Sequence, residues 1–139
     1  MAITLGQRSL ARLDGVHPDL LRVVKRAAAM AEPADDFTIL DGTVRTREQA
    51  WANWGKGRTA ADCRAKGVPI GYAKPGEAKV TWLSNPLSSK HVPKQDGFSH
   101  AVDAAPFPID WNDLARFDRL AQLMFAAAAL DLLERALQA

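Results

Sequence analysis

The sequence predicts an α+β fold in which a small antiparallel sheet packs with helices. Three observations indicate this class: helical apolar stripes near the N-terminus, two short strand-like runs far apart in the chain, and one long apolar helix at the end. The predicted order is helix, strand, helix, long loop, strand, helix. We expect a single domain over residues 1–139, because a chain of this length can bury a core without disulfides.

The first predicted helix lies in VHPDLLRVVKRAAAMA. Pro18 suits a first helical turn, where its missing N–H leaves no bond unmade. Apolar residues then recur at helical spacing from Leu20 to Ala27. His17 precedes the proline, and we expect it to be a helix cap or a surface contact.

The next two elements are a strand and a capped helix. DDFTILDG has β-branched and aromatic residues followed by Asp-Gly, which indicates a short strand. In TREQAWANWGKG, Thr46 with Gln49 three residues later is the capping-box pattern. We expect this second helix to end at Gly55 and Gly57.

The second half of the chain contains a long loop, a strand and a long helix. Residues 58–90 are rich in Gly, Pro, Lys and Ala and predict an irregular loop. SHAVDAAP then predicts a strand stopped by proline. The final helix, capped by Asp110 or Asn112, is apolar nearly all round from Leu120 to Leu133, so we expect it to be buried. If no other part of the protein covers this helix, its exposed apolar surface would favour self-association.

Composition excludes several classes of protein. The single Cys63 rules out an internal disulfide and a CxxC metal site. We find no secretory signal and no membrane-length apolar run, and therefore expect a cytoplasmic product without membrane insertion. Residues 45–94 carry ten Lys/Arg against three Asp/Glu, which favours an anionic partner or a solvated surface. Nucleic acid is an unlikely partner, because we recognise no helix-turn-helix and no aromatic platform.

The stretch SSKHVPKQDGFSHAVDAAP contains residue types that bind zinc. A catalytic zinc site takes three protein ligands from His, Asp or Glu and leaves a position for water. His91 and Asp103 are candidates, although spacing alone fits a structural histidine and a loop aspartate better. Side chains alternate faces along a strand, so His100 and Asp103 would point to opposite faces. If Asp103 is a ligand, we expect His100 to line the site edge or face solvent.

The same stretch resembles the Ser-x-His…Gly-x-x-x-Ala-x-Asp signature of zinc peptidases of bacterial cell walls. These are the VanY-like D-alanyl-D-alanine carboxypeptidases and the phage endolysins that act as L-alanyl-D-glutamate endopeptidases. LDGVHPDLLRVVKRAAAM, FTILDGTVRTREQ and DWNDLARFDRLAQLMFAAAAL are similar to further elements of that family, in the same order.

The resemblance implies a hedgehog/VanY-like peptidase fold, a Zn²⁺ cofactor and a peptidoglycan peptide as partner. His91 and Asp103 match two zinc ligands, and their side chains are then expected to share one ion. Arg45 matches the arginine that contacts a substrate carboxylate or the developing oxyanion. Gln49 and Ser89 match substrate-binding positions near the cleft.

One departure from the family pattern limits the expected activity. The resemblance implies a final strand carrying the third ligand, a histidine, and an acidic general base, and no histidine follows His100. We therefore expect a C-terminally truncated phage or prophage cell-wall metallopeptidase, released to act on the wall, with weak or no hydrolysis. A non-catalytic peptidoglycan-binding remnant is the alternative, and a nucleic-acid-binding protein ranks third. The resemblance leaves open which peptide bond is cleaved.

Overall fold

The computed structural model describes residues 2–138, which form two compact units. The first unit runs to Val44 and resumes at Ala101, and the second is Arg45–His100. The helices and strands are α1 (Gln7–Arg12), α2 (Pro18–Met30), β1 (Phe37–Ile39), α3 (Arg47–Gly55), α4 (Ala60–Ala65), β2 (Ala104–Pro106) and α5 (Leu114–Gln138). Two 3₁₀ turns add Pro33–Asp35 and Ile70–Tyr72.

The first unit confirms the predicted α+β class. Strands β1 and β2 pair antiparallel, with Phe37 opposite Pro106 and Ile39 opposite Ala104. The core of this unit joins the sheet to the helices, and Ile39, Leu120 and Ala127 are among its buried members. None of the helices within residues 2–138 combines the length and apolar character needed to cross a bilayer.

Helix α2 forms as the sequence predicts. Pro18 occupies its first turn, and the imidazole Nδ1 of His17 accepts a hydrogen bond from the Asp19 main-chain N–H at 3.0 Å. His17 is therefore the helix cap. Val24, Ala27 and Ala28 bury one face of the helix in the core.

The start of α5 differs from the expectation. The carboxylate of Asp113 accepts the Arg116 main-chain N–H at 3.3 Å, so Asp113 caps the helix. Asp110 instead accepts the Asn112 N–H at 3.0 Å in a turn that precedes the helix. The prediction of Asp110 or Asn112 as cap is wrong, because both residues are used in that turn.

The expectation that α5 is buried on all sides is also wrong. Within this helix Leu120, Ala127 and Asp131 are buried, and they share one face. Helix α2 and strand β2 contact α5 in the first unit, and neither reaches its opposite face. Phe125 is 75% exposed and Leu132 is 69% exposed.

The second unit contains the predicted helix α3 and one helix that was not predicted. Thr46 and Gln49 form the expected capping box at the start of α3. Residues 58–90 are not irregular throughout, because Ala60–Ala65 is helical and is capped by Thr59 with Asp62. Six residues are too few for a periodic apolar pattern, although the Thr-x-x-Asp signal was present.

A small core stabilises the second unit. Trp54, Cys63 and Val68 are its buried members. The Arg58 guanidinium lies 4.1 Å from the Trp54 ring and donates to the carbonyls of Trp54 at 2.6 Å and Thr81 at 2.9 Å. These bonds fix the loop after α4 against α3, although that loop has little regular structure.

Candidate functional site

Three of the residues assigned by resemblance lie together in the second unit. The Arg45 main-chain N–H donates to the His91 carbonyl at 3.0 Å. The Arg45 guanidinium Nη1 donates to the Ser89 hydroxyl Oγ at 3.4 Å, and the His91 N–H donates to the same oxygen at 3.3 Å. Ser89 therefore links the arginine to the histidine segment.

The segment that carries Ser89 and His91 is folded back on itself. Lys94 Nζ donates to the Ser89 carbonyl at 2.7 Å, and the His100 N–H donates to the Lys90 carbonyl at 2.7 Å. Because both ends of the segment are tied by hydrogen bonds, the position of His91 is set by the backbone of this unit.

Arg45 and Ser89 line a cleft of about 540 Å³ in the second unit. Its other lining residues are Ala50, Asn53, Lys56, Val80, Thr81, Leu83 and Pro86. Among the described residues that line it, two are cationic and none is acidic. The cleft therefore favours an anionic ligand with an apolar part.

The core of the second unit positions the apolar wall of this cleft. The Trp54 indole N–H donates to the Leu83 carbonyl at 2.8 Å, next to the Arg58 bond to Thr81. Gly57 has a positive φ of 76°, and a Cβ at this position would lie 2.8 Å from the main-chain nitrogen of Lys79. A side chain at Gly57 would push this wall away from α3.

Gln49 has a structural contact at the start of α3. Its side-chain oxygen Oε1 accepts the Thr46 main-chain N–H at 2.8 Å, which completes the capping box. The residue is exposed and is not among those that line the 540 Å³ cleft. A role in substrate binding stays a prediction for Gln49.

Asp103 belongs to the first unit, where its main chain is fixed on both sides. Its carbonyl accepts the Leu40 N–H at 2.8 Å, and its N–H donates to the Thr43 hydroxyl at 3.2 Å. Thr43 is 1% exposed and also donates to the Leu40 carbonyl at 3.0 Å. Thr43 is a positioning residue that was not predicted from the sequence, although it follows β1 within FTILDGTVRTREQ.

The predicted strand over SHAVDAAP is wrong in its first half. Strand β2 begins at Ala104, so His100 and Asp103 precede it, and the alternation of strand side chains does not apply to them. His100 is nevertheless exposed, as expected, and its Nε2 lies 2.7 Å from the Asp96 carboxylate.

Lys56 and Asn53 also line the cleft, and neither was predicted from the sequence. Both lie at or near the end of α3, one turn apart, which places them on the same side of that helix. The helical spacing was visible in the sequence, but nothing in it showed that this side faces a cleft.

A comparison with known protein families identifies the class of the protein as a phage cell-wall peptidase. The model of the phage L-alanyl-D-glutamate peptidase family matches residues 1–70, just over half of the chain. The chain belongs to this family. The match includes Arg45 and Gln49 and ends before Ser89, His91 and Asp103. No curated protein matches the chain.

Proposed function

We propose that the chain acts on the L-alanyl–D-glutamate bond of peptidoglycan stem peptides, with Arg45 binding a substrate carboxylate in the cleft of the second unit. Membership of the family supports the choice of the L-alanyl–D-glutamate bond as the cleavage site. The observation that carries the assignment of Arg45 is its position in a cleft whose described lining includes no acidic residue.

The chemistry of the cleft suits the glutamyl part of such a peptide. A guanidinium offers a planar fork of donors that matches a carboxylate. Lys56 adds a second positive charge, while Val80 and Leu83 supply an apolar wall. A D-glutamyl residue carries a carboxylate beside its peptide bonds, and the methyl group of alanine suits an apolar contact.

Ser89 contributes a hydrogen-bond donor to this arrangement. Its oxygen accepts the Arg45 guanidinium at 3.4 Å and the His91 N–H at 3.3 Å. A serine hydroxyl has two lone pairs and one proton, so the proton is left to donate while both acceptor positions are used. We assign it to a substrate oxygen beside the carboxylate held by Arg45.

The proposed metal is zinc, held by His91 and Asp103. An imidazole nitrogen and a carboxylate oxygen are both usual zinc donors, so the chemistry of the pair fits this ion. When bound, zinc supplies Lewis-acid polarisation of a carbonyl and a lowered pKa for its water. Since the two residues are fewer than the three protein ligands of a catalytic site, we expect weak retention of zinc and slow hydrolysis.

Residues of the chain itself then fix the position of the substrate in the cleft. Arg45 and Ser89 hold the carboxylate and a neighbouring oxygen, which places the adjacent peptide bond at a fixed distance from the cleft wall. Such positioning lowers the barrier by removing the freedom of the reacting groups before the reaction.

The test is digestion of purified peptidoglycan with zinc present, followed by mass spectrometry of the released fragments. We expect slow appearance of fragments with a new amino group on D-glutamate, and loss of this product in Arg45→Ala. Cleavage at another bond, or an unchanged rate in Arg45→Ala, would contradict the proposal. Binding of the peptide without cleavage would support the non-catalytic alternative instead.

A further inference from the structure

Trp82 is a tryptophan that the second unit leaves largely uncovered. It is 74% exposed, whereas Trp54 of the same unit is 3% exposed. Leaving a large apolar ring in water is unfavourable. Tryptophan is enriched at binding surfaces, because its ring offers a large and rigid contact area together with one polar N–H.

The loop that carries Trp82 is fixed on both sides of this residue. The Arg58 guanidinium donates to the Thr81 carbonyl at 2.9 Å, and the Trp54 indole N–H donates to the Leu83 carbonyl at 2.8 Å. Arg58 and Trp54 are both buried. The exposed ring therefore projects from a backbone that the core of the second unit holds in place.

Lys79 contacts the ring itself. Its ammonium lies 5.6 Å from the centre of the Trp82 ring, which is within the range of a cation–π contact. The main chain of Lys79 packs closely on Gly57, because a Cβ at that glycine would lie 2.8 Å from the Lys79 nitrogen. The ring and the ammonium together offer an apolar plate with hydrogen-bond donors beside it.

Trp82 lies next to the 540 Å³ cleft. Val80, Thr81 and Leu83 are among the described residues that line this cleft, and Trp82 is not. Consecutive Cα atoms are about 3.8 Å apart, so Trp82 is one residue from the cleft wall on either side. A ligand that fills the cleft and continues past this wall meets the ring.

The proposed substrate continues as a sugar beyond the bond that is cut. In peptidoglycan the amino group of L-alanine is not free, because a lactyl group joins it to an N-acetylated amino sugar of the glycan strand. The lactyl and alanyl units together span at most about 7 Å when extended. A sugar ring therefore lies close to any site that holds the L-alanyl–D-glutamate bond.

We propose that Trp82 binds this amino sugar, with its indole stacked on one face of the sugar ring. The inference rests on the proposed function, because it extends the substrate that Arg45 holds. The C–H groups on one face of a pyranose ring form an apolar surface that suits an indole. The acetamide and hydroxyl oxygens lie around the edge of the sugar, where the Lys79 ammonium can donate to them. Trp82 then selects stem peptides that are attached to the wall over free ones.

Calorimetric titration with two matched peptides tests the proposal. One is L-alanyl-D-glutamate with an N-acetylmuramoyl group on its amino end, and the other has a lactoyl group there without the sugar. We expect the wild type to bind the sugar-bearing peptide about twofold to tenfold more tightly, which is the scale of one stacked aromatic contact. Trp82→Ala is expected to lose this preference, and Trp82→Phe to keep part of it. Equal binding of both peptides by the wild type, or an unchanged preference in Trp82→Ala, would overturn the inference.

Trp111→Ala is the matched control. Trp111 is 61% exposed but belongs to the first unit, where its ring stacks on Phe117 with 5.6 Å between the ring centres. We expect this variant to keep the preference for the sugar. An equal loss of preference in Trp111→Ala and Trp82→Ala would show a nonspecific effect of removing an exposed tryptophan and would count against the proposal.

Arg45→Ala separates this inference from the proposed function. The variant is expected to bind both peptides more weakly and to keep the ratio of the two affinities. If Arg45→Ala binds both peptides as the wild type does while Trp82→Ala loses the preference, the role of Arg45 is wrong and that of Trp82 stands. If Arg45→Ala weakens binding and the wild type shows no preference, the reverse holds.

The sugar alone provides a second measurement that needs no peptide. The chain has four tryptophans, so an isotope-labelled sample gives four indole N–H signals in a nuclear magnetic resonance spectrum. Trp82→Phe identifies the signal of Trp82, which we expect to shift when the disaccharide of N-acetylglucosamine and N-acetylmuramic acid is added at millimolar concentration. An unmoved Trp82 signal would overturn the inference. A shift caused by a single-stranded oligonucleotide and not by the disaccharide would assign the ring to nucleic acid instead.

Discussion

Arg45 and His91 are joined through their main chains, by a hydrogen bond of 3.0 Å from the Arg45 N–H to the His91 carbonyl. The residue proposed to bind the substrate and a residue proposed to bind the metal thus have a fixed backbone spacing within the second unit. A backbone bond of this kind does not depend on either side chain. Substitution of one residue should therefore leave the other in place, which makes their roles separable by mutation.

Lys56→Gln is expected to weaken binding of a stem peptide by about twofold to fivefold, because it removes one of two positive charges that line the cleft. Isothermal titration calorimetry at low salt measures this loss. Lys66→Gln is the control, since Lys66 is not among the residues that line this cleft. An equal effect of the two substitutions would show a general response to net charge and would remove Lys56 from the site.

His91→Ala and Asp103→Ala are each expected to reduce the zinc retained after dialysis, because each removes a donor. Metal content is measured by atomic emission after loading with one equivalent of zinc. His100→Ala is the control and is expected to retain as much zinc as the wild type. Loss of zinc in His100→Ala alone would move the metal to the exposed side of the loop, where His100 pairs with Asp96.

Stability is expected to fall at alkaline pH in a way that depends on Cys63. Burial raises the pKa of the Cys63 thiol above its ordinary value of 9.0. As the pH rises, the unfolded chain therefore loses this proton before the folded chain does. The contribution of the protonated Cys63 thiol to the free energy of unfolding is present below pH 9.0 and is lost as the pH rises through the folded pKa. Urea denaturation at several pH values should show a smaller decline for Cys63→Ala. Equal declines in both chains would contradict the prediction.

Arg22→Ala is expected to lower the free energy of unfolding by more than Arg119→Ala does, because it removes a partner of the Asp131 carboxylate. Asp131 is 7% exposed and lies 3.3 Å from Arg22. Arg119→Ala is the control: its bond to Asp35 is shorter, at 2.9 Å, but lies at the surface and should contribute about 0–1 kcal/mol. The order of the two losses in urea denaturation decides whether burial or distance governs these pairs.

Local signals in the sequence predicted much of the fold. Pro18 after His17 and the Thr46–Gln49 capping box each act within one helical turn, so the two helix starts were predictable. The point at which the long loop ends and strand β2 begins was not predictable from such local signals. Strand β2 starts at Ala104 because its pairing with β1 ends at Ile39, a residue far away in the chain.

The candidate site was predictable where it followed a family motif and not where it depended on tertiary structure. Arg45, Ser89 and His91 were named from the motif, and they lie together in the second unit. Lys56 and Thr43 were missed. Lys56 lines the cleft, and Thr43 contacts Asp103, which lies 60 residues away in the chain. Neither arrangement leaves a local pattern in the sequence.

The central claim is that Arg45 binds a carboxylate of the stem peptide, and calorimetric titration with two matched peptides tests it most directly. One peptide contains L-alanyl-D-glutamate with a free α-carboxylate, and the other carries an α-carboxamide. We predict that the wild type prefers the carboxylate by about tenfold or more, that Arg45→Ala loses this preference, and that Arg47→Ala keeps it. Equal binding of both peptides by the wild type, or an unchanged preference in Arg45→Ala, would contradict the account.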